Sequence, residues 1–248
     1  VALEKGFYKE AGIDLELMQG GPGRLPFGKL KRQEATFVSG WLSTAIQQRA
    51  MGLPVVNLSQ ILQRSALMLV ARKSSGITSL QSLNGKRLGL WGGDFRIQPL
   101  AVCRAYNLNV TVVPVYATIN LFLKGAVDAV SVMWYNEYHS IINSGINPDE
   151  LTVFFFADLL GSFPEDGIYC LESTFITNGE LCKRFIQASI KGWIYSFENK
   201  QEALEIVMKF ENQAHLQTNR AHQRWMLARM QDLIMPTGDK TDVGKLNI

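Results

Sequence analysis

Hydrophobic and polar positions along this chain follow two rhythms. Short apolar runs are bounded by glycine, proline or asparagine, and longer stretches repeat their apolar residues at three and four positions. Read in order, they predict a short helix over 2–9 stopped by Gly12, then a half-exposed strand over 13–17. The run Gly20-Gly21-Pro22-Gly23 breaks the chain as a loop. A brief strand over 36–38, a turn at Ser39-Gly40-Trp41 and a helix over 42–51 closed by Gly52 follow. Strands are predicted over 55–58 and 66–71, the second uniformly apolar and so buried on both faces. After a polar, turn-rich stretch over 74–84, strands over 87–91, 109–115, 127–133 and 152–157 alternate with helices over 99–106, 119–124 and 137–143. The stretch 158–167 is an irregular crossing, and helices over 180–197, 200–211 and 219–235 complete the chain. Strands alternating with helices predict an α/β protein with a mainly parallel sheet.

A faint internal repeat divides the pattern. Residues 11–17 resemble 106–112, and Ala35-Thr36-Phe37-Val38-Ser39 resembles Val127-Asp128-Ala129-Val130-Ser131. Two α/β lobes of related plan follow, each ending a strand in tryptophan, Trp41 in the first and Trp134 in the second. Strand ends of this kind are where open α/β sheets bind ligands, so the two rings are expected to line one cleft.

Composition narrows the function. With 248 residues, 47% of them hydrophobic, the chain can bury a large core without covalent staples. A formal charge of +3 with scattered basic residues argues against nucleic acid as a partner. Cys103, Cys170 and Cys182 are odd in number and widely spaced, and read as buried free thiols, not as a disulfide framework or zinc site. The longest apolar run, 151–160, is interrupted by Thr152 and Asp158 and falls far short of the roughly 20 residues of a membrane helix. Val1-Ala2-Leu3-Glu4-Lys5-Gly6-Phe7-Tyr8 reads as the end of a helix, so a targeting segment and a first strand are expected upstream.

The candidate chemistry gathers in 131–139, where an apolar strand empties into Trp134-Tyr135-Asn136-Glu137-Tyr138-His139. Trp41, Trp91 and Trp134 each follow a strand and offer flat stacking surfaces to a planar ligand. Glu137 either complements the dipole of the helix it opens, after Asn136 as N-cap, or accepts from the amine and ring nitrogen of a heterocycle. Tyr135, nearer the strand end than Tyr138, is the better ligand contact. Asp94 either caps the next helix or adds a second acceptor, while the amides of Gly92-Gly93 suit an anion. Phe163-Pro164-Glu165-Asp166-Gly167 is a turn or a rim of the site. His139, His215 and His222 are too scattered for a metal motif, and His139 reads as a surface or capping residue. No nucleophile elbow, phosphate-binding lysine loop or dinucleotide fingerprint occurs, so no catalytic residue is assigned.

Four stretches carry a resemblance: 4–14 with its Glu-Lys-Gly-Phe-Tyr, Gly40-Trp41-Leu42-Ser43-Thr44-Ala45, 69–77, and Leu83-Asn84-Gly85-Lys86-Arg87-Leu88-Gly89. Together they resemble the ABC-transporter substrate-binding proteins of the thiamine-pyrimidine, alkanesulfonate and taurine type, over essentially the whole chain. Trp134-Tyr135-Asn136-Glu137-Tyr138 looks most like the pyrimidine-binding branch. The resemblance implies a type II periplasmic-binding-protein-like fold of two α/β lobes around a ligand cleft. Lobe 1 would comprise 1–72 with 168–248 and lobe 2 73–167, joined by hinge crossings near 70–73 and 156–169, with the family's first strand missing. It also implies an extracytoplasmic protein, periplasmic or lipid-anchored. As a monomer it would close on a thiamine-precursor pyrimidine and deliver it to a membrane permease, without enzymatic activity or cofactor. Ser39, Gly40, Trp41, Trp91, Gly92, Gly93, Asp94, Trp134, Tyr135, Asn136 and Glu137 would hold the ligand. A sulfonate or riboflavin-like ligand is an alternative, and so is a pyrimidine-forming enzyme. The family's fungal enzyme of that kind consumes its own histidine and a pyridoxal cofactor, and its cysteine cluster is absent here.

Overall fold

The computed structural model describes residues 1–21, 23–116, 118–161 and 163–246. Its strands are β1 (Val38–Trp41), β2 (Val55–Gln60), β3 (Leu67–Arg72), β4 (Arg87–Leu90), β5 (Thr111–Pro114), β6 (Ala129–Met133), β7 (Leu151–Phe155) and β8 (Asp166–Leu171). Its helices are α1 (Phe7–Glu10), α2 (Pro26–Lys31), α3 (Leu42–Ala50), α4 (Ile97–Ala105), α5 (Asn120–Leu123) and α6 (Glu137–Asn143), then α7 (Phe156–Leu159), α8 (Glu172–Thr177), α9 (Gly179–Glu198), α10 (Lys200–Gln213) and α11 (Arg220–Ile234). They fall into two compact units, Val1–Gln63 with Pro164–Ile248, and Arg64–Phe163. The chain passes between them at 63–64 and 163–164, ahead of the 70–73 crossing drawn from sequence, so β3 lies wholly in the second unit.

In the first unit β8 is the central strand, antiparallel to both β1 and β2. Phe27, Leu30, Val38, Ala45, Leu53, Val55 and Tyr169 form its core beneath α2 and α3. Gly40 and Gly167 face each other across β1 and β8, and the Phe27 and Tyr169 rings pack edge to face, 5.3 Å apart, beside them. The amphipathic α9 supplies Cys182, Phe185, Ala188, Gly192 and Phe197 to the interior. Phe185 stacks on Phe37 at 4.1 Å and on Tyr8 at 5.3 Å, which ties the first helix and the approach to β1 to α9.

The second unit is a five-stranded sheet in the order β5-β4-β6-β3-β7. β4 runs parallel to β5 and β6, whereas β3 is antiparallel to β6 and β7. The mainly apolar stretches of β3 and β6, interrupted in β6 by Ser131, are explained by burial on both faces, every residue but Arg72 being buried. α4 lies on one face, where Pro99, Val102 and Cys103 line a small apolar cavity together with Leu69, Leu88 and Phe154.

Several expectations fail here. Antiparallel pairings outnumber parallel ones, because alternation of strand and helix carries no information on strand direction. Residues 13–17 form no strand: Leu17 is exposed, and none of the described strands pairs with them, so the alternating pattern has no ladder to join. The first half of the internal repeat is therefore not structural. Ser39, Gly40 and Trp41 are strand, not turn. α2, β8 and α8 had no counterpart in the sequence reading. The three cysteines are buried and free. Of the Gly20–Gly23 loop, Pro22 lies outside the described residues, as does Ser162 of the crossing.

Candidate functional site

The parallel strands of the second unit aim their carboxyl ends in one direction, and the register Leu88↔Ala129, Gly89↔Val130 brings the ends of β4 and β6 side by side. Trp91-Gly92-Gly93-Asp94 leaves the first and Trp134-Tyr135-Asn136-Glu137 leaves the second. Eight of the eleven residues selected from sequence thus follow strands that end at the same edge of the sheet, the location where open α/β sheets bind ligands. Because β3 is antiparallel to β6, its start lies at the same end, and the Trp134 N–H donates to the Ala66 carbonyl at 2.9 Å.

Trp134 is half-buried and meets Phe155 edge to face at 5.4 Å and 88°. The Arg64 guanidinium lies 5.8 Å from the centre of the Phe155 ring and pairs with Asp158 at 2.5 Å. Trp91 is half-buried against Phe95, with centroids 5.5 Å apart, and its carbonyl accepts from Arg96 Nε at 3.0 Å. Gly93 has φ 62, a left-handed conformation that suits glycine. It begins a 3₁₀ turn, Gly93–Arg96, with Asp94 inside it. α4 is preceded by Arg96 and has no side-chain cap, which removes the capping reading of Asp94.

Glu137 opens α6, but its carboxylate turns back onto the strand. Oε2 accepts the Met133 N–H at 2.9 Å, and Oε1 accepts from Asn136 Nδ2 at 2.8 Å. Burial raises its pKa above the ordinary carboxylate value, against the opposing pull of these hydrogen bonds. Asn136 occupies the N-cap position without capping through its side chain. The carboxylate, which the backbone N–H of Glu137 itself also serves, therefore clasps the turn between β6 and α6. Tyr135 is half-buried and Tyr138 buried. His139, read as a surface or capping residue, is instead buried, with Asn143 Nδ2 3.0 Å from its Nδ1, because α6 lays that face on the sheet.

Ser39, Gly40 and Trp41 belong to the first unit. Ser39 is exposed, and Gly40 has its open side filled by Phe27. Trp41 ends β1 in extended conformation as the N-cap of α3, with the Leu42 N–H donating to the Glu165 carbonyl at 3.0 Å. Nearby, Gln60 Nε2 donates to the carbonyls of Leu62, Glu165 and Asp166, each at 3.1 Å, fixing the entry to β8. Phe163 to Gly167 is thus no simple rim, since Glu165 is fully buried and Asp166 starts the central strand.

Sequence reading missed Gln98 and Ser65, buried polar residues in apolar surroundings at the same end of the second sheet. A single glutamine beside proline in a helical stretch gives no signal of its own. Among the described residues, no group of three or more His, Cys, Asp or Glu is placed to hold a metal ion, and no helix is long and apolar enough to cross a membrane.

These α/β units have the periplasmic-binding-protein fold. The chain belongs to the NMT1/THI5-like family, whose model matches residues 1–203. It is 28% identical over 243 residues to a 4-amino-5-hydroxymethyl-2-methylpyrimidine phosphate synthase of Legionella pneumophila, covering 86% of this chain and 69% of that protein. It is 24% identical over 228 residues to the riboflavin-binding protein RibY of Chloroflexus aurantiacus, covering 87% of this chain and 63% of RibY. The periplasmic aliphatic sulphonate binding protein SsuA of Escherichia coli has a similar structure, with TM-score 0.73 at 14% identity over 94% of this chain and 73% of SsuA.

Proposed function

We propose that this protein is an extracytoplasmic solute-binding component that captures a small flat heterocycle, a thiamine-precursor pyrimidine, for an ABC importer. The observation that carries the reading is the convergence of the Trp91 and Trp134 turns at the ends of two adjacent parallel strands. In the chain Trp91 is followed by Gly92, Gly93 and Asp94, and Trp134 by Tyr135, Asn136 and Glu137, which would supply polar groups beside the indoles. Stacking would supply most of the affinity, and the polar groups the orientation. The pyrimidine in the Legionella relative's name and the ring system in RibY's both favour a planar ligand. Importer delivery and a periplasmic or lipid-anchored location rest on likeness to binding proteins such as SsuA. The name of the Legionella relative also favours a second reading, a pyrimidine-forming enzyme.

Native mass spectrometry of the purified protein, followed by calorimetry with 4-amino-5-hydroxymethyl-2-methylpyrimidine, riboflavin and an alkanesulfonate, tests the proposal. The pyrimidine is expected to bind, and Trp134→Ala to weaken it about tenfold or more, the loss of an aromatic contact worth about 1.4 kcal/mol. Binding of none of the three would remove the solute-binding reading. A pyridoxal absorbance band together with pyrimidine formation would replace it with the enzyme.

A further inference from the structure

Helix α4 begins Ile97-Gln98-Pro99, and in that turn Ile97 is exposed while Gln98 is only 5% exposed. The amide of Gln98 is anchored at one end, where Nε2 donates to Ser65 Oγ at 2.9 Å. Ser65 is itself fully buried and its Oγ also accepts the Leu67 N–H at 3.2 Å, so the anchor is fixed to the start of β3. The other end, Oε1, is buried and meets no hydrogen-bond donor in the protein. A buried carbonyl deprived of a donor loses its water contacts with no return, so a position of this kind calls for a partner.

Its place in the sheet says what the partner is. Leu67 pairs with Met133, and the Trp134 N–H to Ala66 carbonyl bond carries the antiparallel ladder one residue further. Ser65 directly precedes Ala66, so it lies beside the end of β6 from which Trp134 leaves the sheet. Gln98 is therefore held at the sheet end where Trp134 and Tyr135 emerge, although it comes from a different element.

We propose that the Gln98 carbonyl accepts a hydrogen bond from an N–H donor of the bound molecule and so selects heteroaromatic ligands carrying an exocyclic amine. This rests on the solute-binding reading above. A ligand offering only acceptors, such as a sulfonate, leaves this oxygen unpaired, and a polar group built to pair with a donor discriminates strongly against an analogue lacking it.

The test is calorimetry on the whole protein with two probes, 4-amino-5-hydroxymethyl-2-methylpyrimidine and its analogue without the 4-amino group. Wild type is expected to prefer the amino compound tenfold or more. Gln98→Met is expected to lose at least tenfold in affinity for the amino compound and no more than about twofold for the analogue, a coupling that general damage to the site would not produce. Its melting temperature should equal or exceed that of wild type, since the unpaired carbonyl is gone. If Gln98→Met does not fold, Gln98→Asn, which withdraws the amide by one methylene, carries the same expectation for the two affinities. Equal losses for both probes, or none, overturn the inference while leaving solute binding intact. Wild type that binds only riboflavin or a sulfonate overturns it as well, and wild type that binds no probe removes the solute-binding reading with it.

Discussion

Replacing Glu137 with alanine is expected to destabilise the second unit by about 2–3 kcal/mol, because the Met133 N–H and the Asn136 amide both lose their acceptor. The corresponding fall in melting temperature is roughly 5–10 °C by calorimetry. Unchanged melting would mean that the clasp between β6 and α6 contributes nothing. The Glu137→Gln protein tests the electrostatics separately. Burial raises the folded-state pKa of Glu137 above its ordinary value near 4.5, so the folded protein holds this proton more tightly than the unfolded chain. The stability of wild type relative to Glu137→Gln should therefore fall as pH rises from that ordinary value through the raised one, and level off above it. A difference that instead grows with pH would show that the hydrogen bonds outweigh burial.

The second large effect is expected at Gly40. A Cβ built there would lie 2.8 Å from Phe27 Cε2 and 3.2 Å from Cζ, and the ring is itself buried against Tyr169. Gly40→Val should cost about 3 kcal/mol, the upper part of the range for overpacking a close-packed core. Melting should fall by roughly 10 °C. Gly92 is the contrast, because a Cβ there meets nothing within 4 Å. Gly92→Ala is expected to change stability by no more than about 0.5 kcal/mol, leaving any change in ligand affinity attributable to the site. If the two variants melt alike, the packing account of Gly40 is wrong.

That contrast shows how far the sequence reached. Gly40 and Gly92 each adjoin tryptophan near a strand end, and sequence assigned both to a ligand. One is covered by a phenylalanine from α2, a helix that sequence did not anticipate, and the other is open. Local pattern cannot separate them, since what fills the space above a glycine comes from a distant part of the chain. Glu137 illustrates the same limit at a polar position. Its place at the head of a helix was legible, because an apolar strand, a short turn and a three-four pattern follow in order. The carboxylate's attachment to Met133 was not, since it depends on how sharply the chain turns between β6 and α6.

By itself the sequence determined where most strands and helices lie, the α/β class, and the clustering of aromatic and polar residues after the strands that became β4 and β6. These follow from periodicity, which records which faces of each element are buried. Only the tertiary structure decided that β8 joins β1 to β2, that residues 13–17 form no strand, and that β3 runs against β6. It alone brought Gln98 and Ser65 to the Trp134 end of the sheet. Strand pairing, direction and the company of a buried polar atom are properties of partners far apart in the chain, and hydrophobic rhythm within one segment carries no record of them.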